Sequence, residues 1–223
     1  MTAVRPLTRR DDDHLDPGLF ESIARDLLTR GYSIRPAALP YAIADGLHQH
    51  LMGMQPSQFS QAGIGRDRQH QVNNFVRSDE ICWINGDSAA GRCWLDWTTQ
   101  LRQYLNRRLL LGLFSFESHY AHYSPGDFYR RHVDAFKGQA NRVLTLVTYL
   151  NRDWHPDDGG ELVLYRDKND NEGIRVTPAF ASLVVFLSEE FPHEVLPARR
   201  DRYSVAGWFR VNGSGLDQVD PPA

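Results

Sequence analysis

The sequence predicts an α+β protein, with a helical first half supporting an antiparallel β-sandwich or barrel. Two observations carry this. Apolar residues recur at helical spacing in three stretches before residue 110, and from Ser115 onward the pattern becomes short Val-, Tyr-, Phe- and Leu-rich runs divided by turn signals.

The first helix is read over 17–30, where Leu19, Phe20, Ile23, Ala24, Leu27 and Leu28 form a stripe and Gly31 stands where a C-terminal cap belongs. A second opens with Pro40 in its first turn, runs through Leu47 and Leu51, and ends before Gly53 or Pro56. A third spans 93–108, with Trp94, Trp97, Leu101, Tyr104 and Leu105 three or four residues apart. Between the second and third helices, 59–76 is polar and holds Gly63 and Gly65, which suggests a long mobile hairpin or lid before the apolar run Ile81-Cys82-Trp83-Ile84. In the second half the punctuation is Ser124-Pro125-Gly126, Asp157-Asp158-Gly159-Gly160, Asn169 to Gly173, Pro178 and Pro192.

The 223 residues fit one domain with a full core, read here as 1–212 with a flexible tail at 213–223. A net charge of −3 and a pI near 6.3 argue against nucleic acid as partner. Two cysteines without metal spacing fit a reducing cytoplasm. The charged start lacks a signal-peptide core and no run of 18 apolar residues occurs, so neither export nor a membrane is expected.

His132 and Asp134 stand two residues apart, so on a strand both would project from one face. His193, 61 residues further on at the start of an apolar strand, is placed to complete the set from across a barrel. Two imidazoles and a carboxylate leave positions free on a metal, as in non-haem iron(II) oxygenases. Alone, a His-x-Asp pair is weak, because strands carry such pairs incidentally. Its strongest companion is Arg202, nine residues after His193, on a strand whose alternation puts Arg202, Ser204, Ala206 and Trp208 on one face. An arginine above two small residues either anchors a dicarboxylate by two-point pairing or makes an ordinary strand-edge ion pair.

His119 and His122, three apart, would face opposite sides of a strand, and His122 reads as structural. His14, His48, His50, His70 and His155 read as solvent-facing.

The combination of Tyr123 before a Pro-Gly turn, Tyr129 three residues before His132, Tyr149-Leu150-Asn151 followed by Asp153-Trp154, Gly159-Gly160, His193, Arg202 and Trp208 resembles the hypoxia-inducible-factor (Egl-nine type) prolyl hydroxylases, and more closely their bacterial relatives. It covers roughly 80–211. The resemblance implies a double-stranded β-helix (jelly-roll) core, mainly 115–211, flanked by N-terminal helices mainly within 16–110. It implies iron(II) held by His132, Asp134 and His193; 2-oxoglutarate bound by Arg202 with Tyr149 and Tyr123; and Tyr129 and Trp208 lining the pocket. Oxygen would be the co-oxidant and ascorbate a stimulant. The implied reaction couples decarboxylation of 2-oxoglutarate to succinate with 4-hydroxylation of a proline in a protein, with elongation factor Tu the target the bacterial relatives suggest and the enzyme a monomer. Two other readings stay open: an oxygenase for a small molecule, and a non-catalytic cupin-like metal-binding module. Residues 59–76, where the family has its substrate-covering hairpin, do not match it residue by residue.

Overall fold

The computed structural model describes residues 17–62, 76–135 and 141–212. The acidic start, His14, His70, most of the expected hairpin and the tail beyond Asn212 lie outside the described residues.

Helix α1 (Pro17–Arg30) buries Phe20, Ile23, Ala24 and Leu27, the expected stripe. It stops at Gly31, whose φ of 77° suits a residue without Cβ and whose N–H bonds the Leu27 carbonyl at 3.0 Å. Helix α2 (Tyr41–Met52) begins one residue later than expected: Pro40 is its N-cap with φ −49° and ψ 130°, an extended conformation outside the helix. Helix α3 (Ala89–Leu109) begins four residues earlier than the apolar periodicity indicated, because Ser88 caps it by accepting the Gly91 N–H at 2.9 Å. A small-residue first turn gives no hydrophobic signal, and its cap does the positioning.

The half read as helical also supplies three strands, a correction to the expectation. These are β1 (Tyr32–Arg35), β2 (Ser60–Gln61) and β3 (Glu80–Trp83), each of four residues or fewer and too short to display alternation. The second half contributes β4 (Ser115–Tyr123), β5 (Tyr129–His132), β6 (Arg142–Tyr149), β7 (Leu162–Leu164), β8 (Ile174–Val176), β9 (Leu183–Leu187), β10 (His193–Val195) and β11 (Arg202–Arg210). They form a large sheet in the order β1-β9-β6-β11-β4-β3-β2 and a small one in the order β5-β10-β7-β8. Every ladder between these strands is antiparallel.

Alternation along the large sheet divides its side chains between two cores. Leu144, Leu146, Leu183, Val185, Val205 and Phe209 face the helices, where they meet Phe20, Leu47, Trp94, Trp97 and Leu101. Val147, Tyr149, Val184, Phe186, Ala121 and Tyr123 face the small sheet and its Leu162, Leu164, Val176 and Val195. Helices therefore seal one face of a two-sheet sandwich. The interior between the sheets is the double-stranded β-helix core, and the candidate site residues lie there.

Candidate metal centre

Register brings the two histidines together. In the small sheet His132 of β5 lies directly opposite His193 of β10, and their ring centroids are 4.3 Å apart. Strand β5 ends at His132, so Asp134 lies just beyond it in a bend and not on the strand as expected; its carboxylate still turns to the histidines. His132 Nε2 is 3.6 Å from Asp134 Oδ1 and His193 Nε2 is 3.5 Å from Oδ2, and one ligand atom from each residue lies within 4.8 Å of the others. Contacts at 3.5 Å and beyond are too long for good hydrogen bonds. The three groups converge on a shared point between them, which suits a metal ion.

The tautomers agree. His132 Nδ1 lies 2.8 Å from the Arg130 carbonyl and His193 Nδ1 lies 3.1 Å from the Phe191 carbonyl. A carbonyl only accepts, so each Nδ1 carries the proton and each Nε2 offers a lone pair. Burial, followed by the neighbouring His132, holds His193 down to about 4, which keeps it in the neutral form a metal requires. Burial alone would raise Asp134, but His193, His132 and the Thr145 hydroxyl outweigh it and hold the carboxyl well below the usual carboxylate range. Thr145 on β6 donates to Asp134 Oδ2 at 2.7 Å and is bonded to Ser188 at 2.9 Å, so the large sheet fixes the carboxylate that the small sheet's histidines face.

Arg202 opens β11 opposite Tyr123 and is 1% exposed. Its Nε donates to the Gly160 carbonyl at 2.8 Å and its Nη1 to Ser204 Oγ at 3.3 Å. No carboxylate pairs with it among the described residues, so the ordinary strand-edge ion pair is absent. The Tyr123 and Tyr149 rings flank the guanidinium, with centroids 4.9 and 5.2 Å from its central carbon. The Tyr149 hydroxyl is buried without a well-placed hydrogen-bond partner among the described residues, and burial pushes its pKa up to about 12 despite the cation beside it. Gly160 is needed here: at φ 70° a Cβ would come within 2.9 Å of the Ala198 Cβ and 3.1 Å of the Arg202 Cδ.

Tyr129 stacks on His132 at 3.6 Å and 15°, and the Arg77 guanidinium lies over the same tyrosine ring at 4.4 Å. Trp208 stands opposite Thr145 and Glu117, with the Arg142 guanidinium 3.7 Å from its ring centre and its own Nε1–H buried without an acceptor among the described residues. All eight singled-out residues thus line the space between the sheets. A metal at the triad and an anion at Arg202 fit the residues present, since the first has neutral nitrogen and anionic oxygen donors and the second has a buried cation lacking a counter-charge.

Sequence reading missed three residues of this region. Thr145 stands among apolar residues in β6, where a threonine on a strand is unremarkable. Arg77 and Asp79, a buried two-point pair at 2.6 and 2.7 Å, follow a stretch without periodicity. His119 is buried at the pocket wall while His122 faces outward to Asp201 at 2.8 Å, the opposed orientation expected of them. His48 is not simply solvent-facing: it is half-buried, with Nδ1 2.9 Å from the Leu150 carbonyl.

A β-sandwich of this topology enclosing two histidines, an aspartate and an unpaired arginine defines a class. Residues 118–210 match the 2OG-Fe(II) oxygenase superfamily. The chain belongs to that family, whose members use iron(II) and 2-oxoglutarate. It is 38% identical to a prolyl-4-hydroxylase from Pseudomonas putida, covering 87% of this chain and 100% of that one with a TM-score of 0.77. A prolyl hydroxylase from Trichoplax adhaerens, solved with a hypoxia-inducible-factor oxygen degradation domain peptide, is 29% identical with a TM-score of 0.76, covering 86% of this chain and 89% of that one. Human Egl nine homolog 1 is 34% identical over 85 residues, which are 38% of this chain. The chain spans only 20–25% of the mammalian Egl nine homolog 1 proteins it matches.

Proposed function

We propose that this chain is an iron(II)- and 2-oxoglutarate-dependent prolyl 4-hydroxylase acting on a proline within a protein. The observation that carries the cosubstrate is Arg202: a guanidinium buried without a carboxylate among the described residues costs several kcal/mol, about 3–5 when such a charge is stranded, and an anionic guest removes that cost. The prolyl substrate rests on the likeness to prolyl hydroxylases along most of the chain.

In this reading His132, Asp134 and His193 hold iron(II), which supplies oxygen activation coupled to decarboxylation of 2-oxoglutarate to succinate. The residues do the rest. Arg202 takes the distal carboxylate of 2-oxoglutarate, the Tyr149 hydroxyl donates to the same carboxylate, and Tyr123 closes the other side. Thr145 holds the aspartate in one rotamer. Tyr129 and Trp208 wall the space beside the metal and exclude water from it. The substrate enters between these walls, where Trp83 is 53% exposed on β3.

Incubation with iron(II), 2-oxoglutarate, ascorbate and candidate proteins, elongation factor Tu first, followed by mass spectrometry, tests the proposal. One added oxygen on a specific proline, with matching succinate, is the expected result. Succinate release stimulated by small molecules, with no prolyl oxidation on any protein offered, would overturn it in favour of a small-molecule oxygenase.

A further inference from the structure

Two polar groups on the pocket wall have no part in holding metal or 2-oxoglutarate. His119 of β4 stands opposite Ala206 of β11, and Trp208 lies two residues further along β11. Both side chains therefore leave the large sheet on the face that carries Arg202 and Ser204. Their ring centroids are 5.5 Å apart. On the neighbouring strand Trp83, the register partner of His119, packs edge-on against the imidazole at 5.2 Å.

The hydrogen-bonding state of each group is fixed. Trp208 is 8% exposed and its Nε1–H finds no acceptor among the described residues. A buried donor left unpaired costs about 1–3 kcal/mol, and a phenylalanine would line the wall without that cost. His119 Nδ1 lies 3.1 Å from the Tyr120 carbonyl, so Nδ1 carries the proton and Nε2 an unshared pair. Burial, then the nearby Arg77, holds its pKa down to about 4, so Nε2 stays an acceptor at neutral pH. Side by side the wall offers one donor and one acceptor.

An extended residue turns its own N–H and C=O to the same side, as each residue of a hydrogen-bonded pair does in an antiparallel ladder. Proline has no N–H and cannot present this pair itself, whereas the residue joined to it can. We infer that Trp208 Nε1–H and His119 Nε2 bind the backbone C=O and N–H of a residue adjoining the target proline, which makes His119 a specificity-determining residue for peptide substrates. The inference rests on the proposed prolyl hydroxylase function.

The test uses the full chain loaded with zinc(II) and 2-oxoglutarate, with its five tryptophans labelled at the indole nitrogen. The probes are N-acetyl-prolyl-alanine N-methylamide and its analogue methylated at the alanine nitrogen. Nuclear magnetic resonance should show the Trp208 indole signal, assigned with Trp208→Phe, moving downfield as the first peptide binds. The methylated analogue should bind about 3- to 10-fold more weakly, the value of one neutral hydrogen bond. His119→Leu should remove that discrimination and His119→Gln, which keeps an acceptor, should restore part of it, with the other indole signals in place as the check on folding. Absent binding, binding without a Trp208 shift, or discrimination that survives His119→Leu each overturns the inference. Oxidation of the same peptides by iron(II)-loaded protein separates the two proposals. Prolyl oxidation without the Trp208 response sinks the amide pairing alone; the response without any prolyl oxidation sinks the prolyl reading and leaves amide recognition standing.

Discussion

Replacing Arg202 with methionine should move two measured quantities in opposite directions. In the ligand-free protein Arg202 is a fully buried cation with two hydrogen bonds, to the Gly160 carbonyl and the Ser204 hydroxyl, the Tyr123 and Tyr149 rings beside it, and no carboxylate partner among the described residues. Losing those two hydrogen bonds costs about 2 kcal/mol, and removing an uncompensated buried charge returns about 3–5 kcal/mol. Methionine fills much of the same volume, so the ligand-free variant should be more stable by about 1–3 kcal/mol. For a chain of this size that raises Tm by roughly 2–12 °C. The 2-oxoglutarate-bound state loses its two-point anchor, weakening binding on the order of 10²- to 10³-fold. Thermal unfolding with and without saturating 2-oxoglutarate reads both effects: a higher Tm alone, and a ligand-induced rise that shrinks to nothing. A ligand-free variant less stable than wild type, combined with an unchanged 2-oxoglutarate response, would refute the assignment of Arg202 as a cation held in readiness for an anion.

Thr145→Val keeps shape but removes the donor to Asp134, and should weaken divalent metal binding about 10- to 100-fold in competition with a chelator, leaving the circular dichroism spectrum unchanged. Gly160→Ala forces a Cβ against Ala198 and Arg202 at positive φ; it should cost about 1–3 kcal/mol in denaturant unfolding and also weaken 2-oxoglutarate. His119 has a folded pKa near 4 against 6.5 when exposed, so the unfolded chain binds more protons between those values and stability falls as pH drops from 6.5 towards 4. His119→Gln should therefore lose about 2 kcal/mol less than wild type between pH 7 and pH 5, measured by urea unfolding of the metal-free protein; equal losses would show that His119 is not held neutral by the fold.

The placement of the candidate site residues was more legible than their framework. Arg202, Ser204 and Trp208 share a face because they alternate along one strand, and β11 is nine residues long, enough for the period to be read. The His132–His193 pairing across β5 and β10 depends on a register between strands of four and three residues, which no local pattern encodes; motif spacing carried that part. The start of α3 was misplaced because Ser88, Ala89, Ala90 and Gly91 stand ahead of the amphipathic stripe and a cap outranks hydrophobicity there. Strands β1 to β3 were hidden by brevity, and with them the Arg77–Asp79 pair. Polar residues such as Thr145 and His119 gain meaning only from what stands opposite them.

Each metal-facing histidine takes its ring orientation from a carbonyl two residues earlier in its own chain, Arg130 for His132 and Phe191 for His193. Main-chain atoms cannot be mutated away, so these two imidazoles stay aimed whatever side chains replace their neighbours. Asp134 alone depends on a replaceable hydroxyl. In the proposed reading the half of the pocket that takes iron(II) is thereby insulated from drift, while the walls at His119, Trp83 and Trp208 are free to diverge, and substrate choice can change on this scaffold without rebuilding the triad.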